Sequence, residues 1–351
     1  MTILVLRFGA LGDILRTLPA VRLMRSALPE CRIVWVLDET WRAVVQDHPD
    51  VEEVVALPRS RWNRWLGSPI RWISLLFAVH TWGGQLRSRR PSLALDFHGN
   101  FRSGMTGWLS GAPVHLGYGG HQQKEANRIF TTHRVPAGPR RISRIERNLA
   151  LVRALGLRLG PIPDGGLRFR NTTLEKARRL VAEHVGREGP HAILSPGVSK
   201  RQAYKQPPVD LLVAAARKLA DRGIAPLVVY GPGEESHAAT LVRHSGGCAH
   251  LAPPTDLWTL AALLRQGTLF VGGDTGPLHL ACAVGCPVVG IYGPTDPVVN
   301  GPWGVRHRVI QPPGTDYSGI KKKDRRMGRF DRISPKTVET AVEEVLAGSR
   351  S

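Results

Sequence analysis

The sequence predicts an α/β protein of two domains, each a doubly wound parallel sheet covered by helices, the two sheets facing a cleft between the domains. Three observations carry this expectation. Short β-rich runs alternate with longer helical patterns along the whole chain. Its 351 residues are enough for two cores. A Gly/Pro cluster, GLRLGPIPDGG at 156–166, interrupts the pattern near the middle. The expected division is 1–160, 161–332, and a closing helix and tail over 333–351 that is free to pack back toward the first domain.

In the first half the apolar runs ILVLR (3–7), RIVWVLD (32–38), LALDF (93–97) and VHLGY (114–118) read as strands. In the second half the strands are HAILSPG (191–197), APLVVYG (225–231), TLFVGGD (268–274) and PVVGIYG (287–293). After a basic loop, KKKDRRMGR (321–329), the run SPKTVETAVEEVLAG reads as a last helix with Ser334 as N-cap, Pro335 in the first helical position and Gly348 as the stop. Ligands of such sheets collect at the carboxyl ends of the strands.

Bulk composition narrows the function classes. Apolar residues make up 42% and charged residues 22%, as in an ordinary globular protein, but 48 Lys and Arg stand against 28 Asp and Glu, a net charge of +20. That excess favours a partner rich in negative charge, whether nucleic acid, phospholipid or a phosphorylated substrate. A nucleic-acid binder is the rival from another class, yet zinc-finger spacing, an RNP pattern and a basic heptad are all missing, so no nucleic acid is expected. Met1 to Leu6 reads at once as a strand, with no basic leader or cleavage site, and WISLLFAV (72–79) is too short to span a bilayer, which predicts a cytoplasmic protein. Of the four cysteines only Cys282 and Cys286 are close in sequence, a spacing that fits core packing better than zinc.

The opening strand leads into FGALGDILRTLP, a glycine-rich turn entering a helix. Such helix starts attract phosphate, and Asp13 would compete with it. Either Asp13 is a cap, or the turn receives something other than phosphate. The segment GGDTGPLHLACAVGCPVVGIYGPTDP (272–297) is the most informative: Gly272 and Gly273 end a strand, Asp274 and Thr275 occupy a turn, and Gly276 and Pro277 open a helix whose free N–H groups suit a diphosphate. His279 would lie in the first turn, able to donate to the same phosphate, and Asp274 could accept from sugar hydroxyls. Plain capping and a helix-face histidine are the alternative. SPGVSKRQAYKQPP (195–208) adds Ser195, Gly197 and Lys205, a lysine placed to neutralise a leaving diphosphate. In YGPGEES, Glu234 and Glu235 offer carboxylates to a ribose, or are an exposed acidic helix start.

Taken together, DTGPLHLA (274–281), YGPTDP (292–297) and GALGDILRTLP (9–19) resemble the lipopolysaccharide heptosyltransferases of glycosyltransferase family 9. The resemblance implies a GT-B fold of two Rossmann-like domains, the second binding ADP-heptose and the first receiving a phosphorylated glycolipid acceptor. It also implies an inverting transfer with Asp13 as general base, Gly12 beside the acceptor, and no metal or other cofactor, in keeping with the lack of a D-x-D pair. Lys205 matches the lysine of the family's K-x-W-P segment, with Pro207 where the tryptophan stands; Asp274, Thr275, Gly276 and His279 match its donor motif. A GT-B enzyme using another nucleotide sugar is the alternative within the fold.

One segment stands apart in composition. Residues 59–90 hold four tryptophans and seven arginines with no acid. This mixture suits the headgroup layer of an anionic membrane, and equally a helix packed on its own sheet with solvated arginines. With the resemblance, Arg59, Arg61 and Arg64 are expected to meet the acceptor at the inner face of the inner membrane, and Lys124 to close over it.

Overall fold

The computed structural model describes residues 1–136, 138–186, 189–317 and 330–348; the basic loop expected over 321–329 lies outside the described residues. The chain divides into two units, Met1–Arg168 and Phe169–Ser351. In the first, β1 (Thr2–Leu6), β2 (Arg32–Asp38), β3 (Glu53–Leu57), β4 (Leu93–Asp96), β5 (Val114–Tyr118) and β6 (His133–Val135) form one parallel sheet in the order β3-β2-β1-β4-β5-β6. Its helices are α1 (Leu11–Leu15), α2 (Leu18–Ala27), α3 (Arg42–Val45), α4 (Arg59–Leu66), α5 (Trp72–Arg87), α6 (Phe101–Leu109) and α7 (Arg144–Arg153). Ile3 to Leu6 are wholly buried, as a central parallel strand covered on both faces must be.

The second unit repeats the plan. Strands β7 (His191–Ser195), β8 (Ala225–Val228), β9 (His250–Leu251), β10 (Leu269–Gly273), β11 (Val288–Ile291) and β12 (His307–Ile310) run parallel in the order β12-β11-β10-β7-β8-β9. Helices α8 (Asn171–Val185), α9 (Val209–Asp221), α10 (Glu235–His244), α11 (Leu257–Gln266), α12 (Gly276–Ala283), α13 (Pro297–Asn300) and α14 (Pro335–Ala347) complete it. Both sheets therefore have the doubly wound Rossmann order, in which the connections diverge on either side of the first strand. That switch point lies between β1 and β4 in one unit and between β7 and β10 in the other. The turns that carry Asp13, Lys205 and Asp274 all leave strands at these two points.

Two expectations about boundaries change. The first unit extends to Arg168 rather than to residue 160. The Gly/Pro stretch belongs to it because the His48 ring bonds the Gly165 carbonyl at 2.8 Å and Arg22 pairs with Asp164. The last helix is capped as expected, Ser334 accepting from the Thr337 N–H at 3.2 Å. It packs within the second unit, against α9, β11 and β12. Val338, Ala341, Val342 and Val345 recur at helical spacing and enter one core with Leu212, Leu219, Val289 and Ile310.

Candidate active site

Beyond β1 the chain passes Arg7 and Phe8, both buried, and turns at Gly9, where a Cβ would stand 2.8 Å from the Trp41 Nε1. Only a glycine lets the turn close under that indole. Helix α1 follows with Gly12 and Asp13 in its first turn, the Gly12 carbonyl accepting from the Arg16 N–H at 3.1 Å. Asp13 caps nothing. Its carboxylate meets Arg7 Nη2 at 2.5 Å, Arg16 Nη2 at 2.9 Å and Arg144 Nη1 at 3.0 Å. Burial by itself would push the pKa of this carboxyl up; the guanidiniums of Arg7, Arg144, Arg16 and Arg147 outweigh it and hold the group far below the ordinary carboxylate range.

The arginines are themselves braced. Arg7 donates to the Phe97 carbonyl at the end of β4. Arg147 lies over the Tyr118 ring, 5.1 Å from its centroid; the Tyr118 hydroxyl donates to Asn148 Oδ1 at 2.9 Å, and Asn148 Nδ2 donates to the Arg16 carbonyl at 2.9 Å. At the other side of the switch point Asp96, fully buried, accepts from the His98 N–H at 2.9 Å, the Gly99 N–H at 2.8 Å, Ser103 Oγ at 2.7 Å and Asn127 Nδ2 at 2.8 Å. These bonds tie the loop after β4 to residues 120–130, and the Lys124 N–H donates to the Gly99 carbonyl at 3.0 Å. Lost solvent, then repulsion from Arg147 and Arg144, lowers the Lys124 ammonium below its ordinary range, which puts that lysine in the field of the Asp13 cluster. Burial, followed by the Arg7 charge, pushes His98 down to about 4, so its ring is neutral at pH 7.

Of the other residues expected near the acceptor, Arg59 lies 3.6 Å from Asp38 Oδ2, at the end of β2. Arg61 and Arg64 are exposed on α4, and the structure does not bring them to Asp13. What spacing alone did not reveal is the cage of Arg7, Arg16, Arg144 and Arg147, contributed from opposite ends of the unit. The one signal was Arg144 and Arg147 at i, i+3 on a single helix face.

In the second unit Ser195 is buried at the end of β7, level with Gly272 of β10. Glu234 folds over Gly197: a Cβ on that glycine would fall 2.8 Å from the Glu234 Cβ, and Glu234 Oε2 accepts from the Gly231 N–H at 3.0 Å. Lys205 reaches across to Asp274, its Nζ 3.1 Å from Oδ2. Asp274 Oδ1 in turn stands 3.2 Å from His279 Nε2, and both residues are buried. Thus His279, expected to face a phosphate, turns this ring nitrogen to Asp274, and Asp274, expected to face sugar hydroxyls, holds Lys205 and His279 in register. Pro207 packs on Gly273, where a Cβ would be 3.2 Å from the proline ring and 3.3 Å from the Lys205 carbonyl oxygen, so the lysine loop lies close against the end of β10. Helix α12 opens with Thr275 as N-cap, Gly276 first and Pro277 second, and the threonine side chain takes up none of the first N–H groups.

The profile of Glycosyltransferase family 9 (heptosyltransferase) matches residues 79–327. Lipopolysaccharide heptosyltransferase 1 of Escherichia coli O18:K1:H7 is 23% identical over 324 residues, covering 91% of this chain and 94% of that protein. Among solved structures, the glycosyl transferase family 9 protein of Veillonella parvula DSM 2008 superposes with a TM-score of 0.79 at 19% identity, over 99% of this chain and 97% of the other. E. coli heptosyltransferase WaaC with ADP gives 0.76 at 21% identity, over 98% and 100%. The likeness shows the GT-B fold.

Proposed function

Because the chain belongs to glycosyltransferase family 9, the heptosyltransferases, we propose that it moves a heptose from ADP-heptose to a phosphorylated lipopolysaccharide-core acceptor, with inversion. The observation that carries this reading is the pair of motifs at the two switch points: a carboxylate among arginines in one unit, and in the other a lysine held beside an uncapped helix start.

In the reaction the acceptor hydroxyl attacks the anomeric carbon, the bond from that carbon to the ADP phosphate breaks, and the hydroxyl proton passes to Asp13. Lys205 and the N–H groups opening α12 take up the charge growing on the departing diphosphate, without a metal ion. Asp274 positions the lysine. A carboxylate surrounded by Arg7, Arg16, Arg144 and Arg147 is a weak base, and an oxocarbenium-like transition state with late proton transfer tolerates it. The same cations outnumber Asp13 and supply an anion site for phosphates or carboxylates of the acceptor. As those anions engage Arg144 and Arg147, the hold on Asp13 relaxes and its basicity rises.

The test is a panel of nucleotide sugars in a thermal-shift assay, followed by ADP release with heptose-deficient lipopolysaccharide core. Stabilisation by ADP-heptose above UDP- and GDP-sugars, with ADP release that persists in EDTA, is expected. Preference for a UDP-sugar would assign the chain to another GT-B reaction.

A further inference from the structure

Helix α4 and the first two turns of α5 form a helical hairpin whose base is anchored and whose tip is unpartnered. At the base, Trp82 and Leu86 enter the core of the first unit, and Trp62 meets Trp82 edge to face at 5.5 Å. At the tip, α4 buries none of its residues, and the turn between the helices is closed by Trp72 Nε1 donating to the Leu66 carbonyl at 3.2 Å. Beyond that turn, Ile70 is 92% exposed, Ile73 81%, Leu76 71% and Phe77 72%, with Leu66 and Trp72 more than half exposed. Ile73, Leu76 and Phe77 stand at i, i+3 and i+4, on one face. Six large apolar side chains at one tip exceed the scatter of single exposed residues that a soluble surface carries.

We infer that this tip is a membrane-docking element, inserting Ile70, Ile73, Leu76 and Phe77 among the acyl chains of an anionic bilayer while arginines bind its phosphates. Charge selects the occupant. Arg61, Arg64 and Arg71 are exposed around the apolar tip, no acid lies between Glu53 and Asp96, and among the described residues no ion pair engages these three arginines. A second copy of the chain would bring the same cations and be repelled, whereas a phospholipid surface supplies both the anions and the apolar layer. Trp65 and Trp72 belong to the same hairpin, and their amphipathic rings suit the headgroup depth. No helix of the described residues is long and apolar enough to cross a membrane, so the contact is lateral. The inference deepens the proposed function by locating where a lipid-anchored acceptor is met.

Co-sedimentation of the full chain with vesicles of phosphatidylglycerol and phosphatidylethanolamine, against phosphatidylcholine alone, tests it. Wild-type protein should sediment with the anionic vesicles and be released by salt. Ile73→Glu/Phe77→Glu should lower the partition at least about tenfold, with circular dichroism and the ADP-induced thermal shift unchanged, because both side chains are exposed. Arg71→Ala should weaken binding to anionic vesicles alone. Wild-type protein that stays in the supernatant, or a double variant that sediments like wild type, overturns the inference. Self-association of wild type that the double variant loses, without vesicle binding, assigns the tip to a second copy instead. Transfer of heptose to a lipid-free acceptor separates the two readings. Transfer retained without vesicle binding removes only the docking, and vesicle binding without transfer removes only the enzymatic reading.

Discussion

In the proposed reaction Asp13 is the general base, and its surroundings would give it two separable roles. As a proton acceptor it is expected to contribute about 10²–10⁴-fold to turnover. As a counter-ion it compensates Arg7 and Arg16, whose side chains are 5% and 8% exposed. Asp13→Asn should therefore lose most of kcat and also stability, toward the lower end of about 3–5 kcal/mol for breaking a buried pair, since the carboxylate is itself 21% exposed. Urea denaturation at several pH values checks the second effect. The folded carboxyl titrates below its unfolded value, so the stability it confers is complete above about pH 4 and is lost as pH falls below that. The gap between wild type and Asp13→Asn should narrow in the same direction. Turnover has its own signature: kcat/KM reports the free enzyme, kcat the complex. If acceptor anions draw Arg144 and Arg147 away, the acid limb of kcat lies at higher pH than that of kcat/KM; the reverse order removes the exchange of partners. In the second unit, Lys205→Ala removes the ammonium beside Asp274 and should weaken ADP binding, measured by calorimetric titration; unchanged affinity removes the lysine from the donor site.

Elements explain which parts of this fold could be read from the amino acids. The eight strands that announce themselves as apolar runs are the interior strands of both sheets, covered on two faces. The four that do not, β3, β6, β9 and β12, are the four sheet edges, short or mixed with exposed polar residues such as His133, Arg134 and Arg308. The same division holds at the site. Asp13, Lys205, Asp274 and His279 could be singled out from the sequence because each lies in, or in the helix start directly after, a Gly- or Pro-marked turn that follows an interior strand. Arg144 reaches the Asp13 carboxylate, and Arg147 adds its charge to the same cluster, only through the packing of α7 on α2, which no local pattern records. Turn geometry yields its own prediction. The Gly197 loop after β7 and Glu234 before α10 occupy one another's space, so Gly197→Ala must push Glu234 off the Gly231 N–H. Weaker nucleotide binding with a small loss of stability, about 1–3 kcal/mol from overpacking, is expected. Nucleotide affinity equal to wild type would mean the two loops serve only the fold.

At the scale of the whole molecule there are two units with the same strand order and separate cores, and the proposed function gives each a different half of the chemistry. The residues assigned to the donor all lie beyond Phe169, and those assigned to the proton and the acceptor all lie before it. A ligand stabilises what it binds by RT ln(1 + [L]/Kd), about 2.7 kcal/mol at a hundredfold excess over Kd, and a unit of this size shifts by roughly 2–4 °C for each kcal/mol. ADP should therefore raise one of two calorimetric transitions by roughly 5–10 °C and leave the other near its position. The transition raised should be the one that Lys205→Ala lowers in the presence of ADP, and Asp13→Asn should lower the other. An equal ADP shift in both transitions, or a single transition that both variants lower alike, would show the two units unfolding as one body and would overturn the expectation of two independent cores.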